Sequence, residues 1–325
     1  MTQADDARNP ARTAPPRVVF CGMTGLFSLL ALEGLLESGI AVVAIVLPAL
    51  RARAGQPSLL TQLPKLPQQS QSPQRAQRTA LPMLGLATPR TILDVAAERN
   101  IPTLELGAGT LPDALIALDF DAVAVACFSR RLPASLLRLP RLGCLNVHPS
   151  LLPAHRGPDP LFWIFHDGDD VGGVTIHLMD EGFDSGPILA REAIPLPDGL
   201  TEAELERFCA SRGGQLLAEA LTRLDAGALQ PQPQDEAQAT YQSWPREEDY
   251  TITPAWSARR AYRFLAGLAG RPEPIRFTAD DGATFMLGAA LSYDGDATLD
   301  AAWRLDGDIL TARCAPGVLR CRMMR

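Results

Sequence analysis

Continuous apolar runs constrain this chain more than any other feature. Residues 17–21, 40–47 and 121–127 have almost no polar alternation, and a fourth run begins at Cys144. Runs of this kind belong to strands buried on both faces, which is the situation of a parallel sheet covered by helices. Helical patterns separate them, at 26–36, 90–98, 111–118 and in a segment ending near residue 139. Strands alternating with helices in this way predict an α/β, doubly wound, mostly parallel sheet.

The stretch 144–186 concentrates the polar chemistry. Asn146 and His148 are two residues apart, so on a strand they share a face. Pro149 and Pro153 then end the strand, which places both side chains at its tip. Open parallel sheets bind ligands at such carboxyl ends. Val174, Ile176 and Leu178 alternate with Thr175, His177 and Met179 as a second strand, and the Asp/Gly-rich turn MDEGFDSG follows with Asp184 inside it. An amide donor, an imidazole and a carboxylate are the groups that acyl transfer uses: the amide holds a developing oxyanion, the imidazole moves a proton and the carboxylate orients the imidazole or receives a proton from an amine.

The segment NVHPSLLPAHRG followed by GVTIHLMDEGFDSGPI resembles the folate-dependent formyltransferases over about forty positions, closest to methionyl-tRNA formyltransferase-like proteins. The resemblance implies a formyltransferase Rossmann-like fold with a small C-terminal OB-like β-barrel, and an enzyme that uses 10-formyltetrahydrofolate as co-substrate. It implies catalytic roles for Asn146, His148 and Asp184. It also implies a pterin-binding segment formed by Cys127, Phe128, Ser129, Arg130, Arg131 and Leu132, with Gly182 nearby. Gly22 and Phe27 are its acceptor-binding candidates, and Arg156 is its candidate for holding the folate or the acceptor. The first strand and turn carry only Gly22 and Gly25, so a G-x-G-x-x-G dinucleotide fingerprint is missing. In the mechanism so implied, Asp184 helps remove a proton from the amine, while Asn146 and a protonated His148 hold the oxyanion. Cys144 has the apolar flanks of a core thiol rather than a nucleophile.

Bulk properties narrow the class. With 325 residues, 46% hydrophobic and 21% charged, the chain reads as a two-domain globular protein. The six cysteines lack C-x-x-C spacing and read as reduced thiols of a cytoplasmic protein. His155, His166 and His177 fit no metal-ligand spacing, so no metal is expected. The apolar region 26–47 is interrupted by Glu33, Glu37 and Gly39, which argues against a membrane span. Residues 1–16 read as a flexible polar leader, 17–225 as the catalytic domain, 226–245 as a Pro/Gln-rich linker and 246–325 as short strands forming the C-terminal domain. Residues 49–85 form a Pro-, Gln- and Ser-rich insertion whose cations are Arg51, Arg53, Lys65, Arg75 and Arg78.

Charge bears on the acceptor. The chain has a net charge of -7, and from Thr201 onward it carries fourteen Arg and no Lys against eighteen acidic residues. A protein that grips RNA depends on cationic contacts to phosphates. A small amine, amino-sugar or aminoacyl group is therefore favoured as acceptor, tRNA is disfavoured, and neither DNA nor a membrane is expected as partner. Three other readings stand beside this one: methionyl-tRNA formyltransferase proper, a formyltetrahydrofolate hydrolase using the same site, and a folate-binding protein without catalysis.

Overall fold

A computed structural model describes residues 14–49, 89–107 and 111–324. Nearly all of the leader and of the 49–85 insertion, including its five cations, lies outside the described residues.

The predicted parallel sheet is present. It has seven strands, β1 (Arg17–Gly22), β2 (Ala41–Pro48), β3 (Thr103–Leu106), β4 (Ala122–Ala126), β5 (Cys144–His148), β6 (Val171–Leu178) and β7 (Ile188–Pro195), in the order β3-β2-β1-β4-β5-β6-β7. The pairs from β3 through β5 are parallel, and β5–β6 and β6–β7 are antiparallel. Strand β5, which carries Asn146 and His148, is therefore the junction between the two modes.

Helices α1 (Leu26–Glu37) and α6 (Glu202–Asp225) cover one face, and α3 (Asp113–Ile116) and α4 (Ala134–Leu137) cover the other. The first two pack with their backbones close together. A Cβ on Gly34 would lie 2.9 Å from the Ser211 carbonyl oxygen, and one on Gly214 would lie 2.3 Å from that of Ala31. Any larger residue at either position would force the helices apart. Helix α2 (Ile92–Arg99) begins with a capping box in which Thr91 and Asp94 satisfy each other's backbone N–H groups.

After the first sheet, helix α5 (Pro160–Asp167) meets α7 (Ala258–Gly267), a helix that the strand-rich reading of residues 246–325 did not anticipate. Phe162 and Phe264, both fully buried, contact each other edge to face at 5.7 Å, with Trp256 and Tyr250 completing the cluster. The remaining strands, β8 (Thr251–Ile252), β9 (Ile275–Thr278), β10 (Thr284–Asp294), β11 (Trp303–Asp306), β12 (Ile309–Arg313) and β13 (Val318–Met323), form a second sheet in the order β11-β12-β13-β10-β9-β8. It is antiparallel except for the β8–β9 pair.

Four arginines tie this C-terminal region to the first sheet's helices and loops. Arg259 and Arg263 reach Asp170 at 2.6 and 2.9 Å, and Arg260 donates to the His166 carbonyl while stacking over Trp256. Arg271 grips both oxygens of Asp159 at 2.8 Å and also pairs with Glu202. Among the described residues no helix is long and apolar enough to cross a membrane.

Candidate active site

Asn146, His148 and Asp184 are brought together at the end of β5. His148 is only 4% exposed. Its Nε2 lies 2.9 Å from the His155 carbonyl oxygen. A carbonyl can only accept, so Nε2 carries the proton in the neutral ring and Nδ1 holds the lone pair. That Nδ1 faces Asp184 Oδ1 at 3.7 Å.

Asp184 sits in the loop after β6 with φ of 53°, a left-handed conformation that Asp tolerates better than most residues. The loop is held locally by Asp180, which accepts from the Gly182 N–H at 2.9 Å and the Ser185 hydroxyl at 3.0 Å. From outside it is held by Gln234, whose amide donates to the carbonyls of Asp184 and Gly186, each at 2.7 Å. The other Asp184 oxygen accepts from the Gly157 N–H at 2.9 Å.

Asn146 Nδ2 lies 3.2 Å from His177 Nε2. His177 donates from Nδ1 to the Leu178 carbonyl at 2.8 Å, so its Nε2 accepts one amide hydrogen of Asn146 and leaves the second for another oxygen. His177 Nε2 also lies 3.6 Å from Asp184 Oδ1. The residue that strand alternation placed beside core positions thus touches both Asn146 and Asp184.

The protonation states follow from these surroundings. Burial pushes the pKa of His148 down, and although the Asp184 charge pulls it up, the net direction is below the ordinary histidine value. Burial also works against the Asp184 charge, but His148, His177 and the Gly157 N–H outweigh it and hold this carboxyl far below the usual carboxylate range. The resting site at neutral pH is an ionised Asp184 beside a neutral His148.

The other sequence candidates are distributed around this centre. Cys127 follows β4 with φ of 54° and turns the chain into 128–132, a segment outside helix and strand whose N–H and C=O groups are not committed to a ladder. Cys127 is exposed, and Cys144 is a buried thiol pushed up to about 12 by desolvation. Arg130 donates to the Ala49 carbonyl. Arg131 donates to the Glu181 carbonyl and lies over the Phe183 ring at 4.5 Å, linking the 127–132 segment to the Asp184 loop. Leu132 is buried and Gly182 is exposed.

Gly22 closes β1, where a Cβ would meet Phe20 at 2.7 Å. Phe27 points into the core at 6% exposure, and Thr24, Gly25 and Leu26 are the exposed residues of that turn. Arg156 is also buried, and its guanidinium is occupied by Gln234 at 2.9 Å and Glu236 at 2.7 Å. It holds the linker against the site.

Sequence reasoning passed over Gln234 and Thr240. Their signal is the linker itself, whose side chains return to the site loop: the Thr240 hydroxyl accepts from the His155 N–H at 2.8 Å. Among the described residues no group of three or more His, Cys, Asp or Glu is placed to hold a metal.

The sequence profile named formyl transferase matches residues 69–221. A methionyl-tRNA formyltransferase of Gluconobacter oxydans is 33% identical over 306 residues, covering 94% of this chain and 90% of that protein. The chain belongs to the formyltransferase family. Another member, a methionyl-tRNA formyltransferase of Synechococcus sp., is 43% identical over 139 residues, and that match spans only 43% of its length. In fold, this family member is similar to an N-formyltransferase of Helicobacter canadensis solved with folinic acid and dTDP-3-aminofucose. That likeness has a TM-score of 0.64 at 13% identity and covers 95% of this chain and 99% of the other.

Proposed function

We propose that this protein transfers a formyl group from 10-formyltetrahydrofolate to a primary amine, with Asn146, His148 and Asp184 as the reacting side chains. The observation that carries this reading is the convergence of the buried His148 Nδ1 and Asp184 Oδ1 at 3.7 Å, with the Asn146 amide beside them. The main chain of 127–132 fits a flat heterocycle that carries donors and acceptors on its edge. Bound there, the folate supplies the formyl group.

The amine attacks as the neutral base. His148 Nδ1 is placed to take its proton, directly or by way of Asp184, and the carboxylate stabilises the imidazolium so formed. Charge on His148 is thus acquired during the reaction and not held at rest. Asn146 donates its second amide hydrogen to the oxygen that gains negative charge. His148 then releases the proton to the departing nitrogen.

The acceptor is a small amine or amino-sugar. Support comes from where the C-terminal cations go: Arg259, Arg260, Arg263 and Arg271 face the catalytic half of the chain, and Arg276, Arg313 and Arg322 pair with Glu247, Asp280 and Asp308. Seven of the fourteen arginines from Thr201 onward are thus engaged within the chain, which reduces the cationic surface open to phosphates. Residues 17–225 are read as the catalytic domain, 226–245 as the linker and 246–325 as an OB-like domain.

Incubation with 10-formyltetrahydrofolate and a panel of amines tests the assignment. Release of tetrahydrofolate that depends on the amine supports it. Release at the same rate with water alone would replace transfer by hydrolysis, and saturable use of methionyl-tRNA would replace the small acceptor.

A further inference from the structure

His155 departs from its surroundings in three ways. It is 7% exposed, its φ is 57°, and its Nδ1 is buried without a hydrogen-bond partner. Left-handed backbone at a residue of this size costs on the order of 1–3 kcal/mol and persists only when neighbours fix it. Here it is fixed from both sides. The side chain is anchored by Asp169, with Nε2 to Oδ2 at 2.7 Å, and the N–H by the Thr240 hydroxyl at 2.8 Å. The remaining backbone group, the carbonyl, receives the His148 Nε2–H.

Asp169 is held in turn. Arg263, 4% exposed on α7, donates to the Asp169 carbonyl and pairs with Asp170 at 2.9 Å. A contiguous path therefore runs from the C-terminal region to the reacting imidazole.

We infer that His155, Asp169 and Arg263 are positioning residues through which the docked C-terminal region fixes the ring orientation and tautomer of His148. None of the three touches the Asn146–Asp184 pocket with its side chain in the hydrogen bonds described above. Their effect passes through the His155 carbonyl, which makes Nε2 the protonated nitrogen and leaves Nδ1 to face Asp184. Without that acceptor the ring is free to carry its proton on Nδ1, and the lone pair needed to receive a proton beside Asp184 is lost. The catalytic meaning of this arrangement rests on the function proposed above, whereas the tautomer itself does not.

The chain has four histidines, so full-length protein labelled with 15N-histidine gives four pairs of ring-nitrogen signals. The charged and titratable groups around the two rings of interest are Asp184, His177 and His155 for His148, and Asp167 and Asp169 for His155. The wild-type protein at pH 7.5 is expected to show His148 as the Nε2–H form. Asp169 is partly exposed, so Asp169→Ala removes the anchor without opening the core, and it is expected to turn His148 into a mixture of tautomers. Asp169→Asn keeps an oxygen for the His155 Nε2–H and is expected to stay near wild type. In turnover, Asp169→Ala is expected to lose kcat by about tenfold to a hundredfold, by analogy with removing the outer partner that orients a metal-bound imidazole, with little change in KM for the amine. If Asp169→Ala does not fold, His155→Asn tolerates the left-handed backbone, breaks the same anchor and is expected to give the same mixed signal.

A wild-type His148 found as the Nδ1–H form would overturn the inference. So would an unaltered His148 signal in a folded Asp169→Ala or His155→Asn protein. These spectra need no substrate, so absence of formyl transfer with every amine would count against the proposed function and leave the tautomer result standing.

Discussion

The side-chain amide of Gln234 donates to the carbonyl oxygen of Asp184 at 2.7 Å, so the linker, and not only the sheet, holds the Asp184 loop in place. The same amide reaches Gly186, and Arg156 grips Gln234 in return. A chain ending near Gln230, at the apparent domain boundary in the sequence, would lose these contacts and uncover α5.

Such a truncation is expected to be strongly destabilised. Phe162 and Phe165 are buried at 0% and 2% exposure, and uncovering each loses roughly 1.5–3 kcal/mol out of a typical total of about 5–15 kcal/mol. Gln234→Ala is expected to be milder, costing about 1–3 kcal/mol for two lost, partly buried bonds and lowering kcat. Thermal melts and turnover of both proteins check this; a truncated chain that melts like the full one would show that α7 and the linker are dispensable for folding.

His148→Ala is expected to lower turnover by about two to four powers of ten. Asn146→Ala is expected to lose about two to three powers of ten through the missing oxyanion donor. Steady-state kinetics with a saturating amine measure both, and near wild-type kcat in His148→Ala would exclude the imidazole as the proton carrier.

Acidification is expected to destabilise the protein in two stages. The folded-state pKa of His148 lies below its unfolded value of about 6.5, so the unfolded chain binds the proton more readily and stability falls below that pH, by at most about 1.4 kcal/mol per pH unit. Asp184 has a depressed folded pKa, so its contribution is complete above an unfolded value of about 3.9 and is lost as pH falls below it. Urea midpoints at pH 7.5, 5.5 and 4 should show a smaller first loss in His148→Gln than in wild type. Equal losses would place the responsible group elsewhere.

Binding of tRNA is expected to be weak and not to saturate at physiological salt, while transfer to a small amine should change little with ionic strength. A protein contacting six or more phosphates would lose about a thousandfold in affinity between 50 and 200 mM salt. Filter binding with initiator tRNA across that range reads the slope, and a steep slope with saturation would restore an RNA acceptor.

The parallel sheet was legible because its strands are continuous apolar runs, and the convergence of Asn146, His148 and Asp184 because the family resemblance singled them out and because Pro149 and the Asp/Gly turn mark where the backbone must leave the sheet. Helix α7 was not. ARRAYRFLAG places four arginines or tyrosines on ten positions, and local pattern alone cannot tell that its cations face Asp170, Asp198 and the His166 carbonyl rather than solvent. Charge counting entered these arginines only in a sum; tertiary pairing makes them fasteners. His155 was unreadable for a related reason, since its contribution comes from a carbonyl whose direction depends on a left-handed φ and on partners 14 and 85 positions away.

The acceptor for the His148 Nε2–H is a main-chain oxygen, and codons do not specify main-chain oxygens. No single nucleotide change can delete that atom, whereas an Asp or Glu in the same role could be lost in one step. Heritable variation can reach the imidazole only by altering what bends the backbone beneath it, so drift at this position is graded instead of all or none. A substitution at 155 or 169 therefore reaches the proton only through the direction in which that carbonyl points.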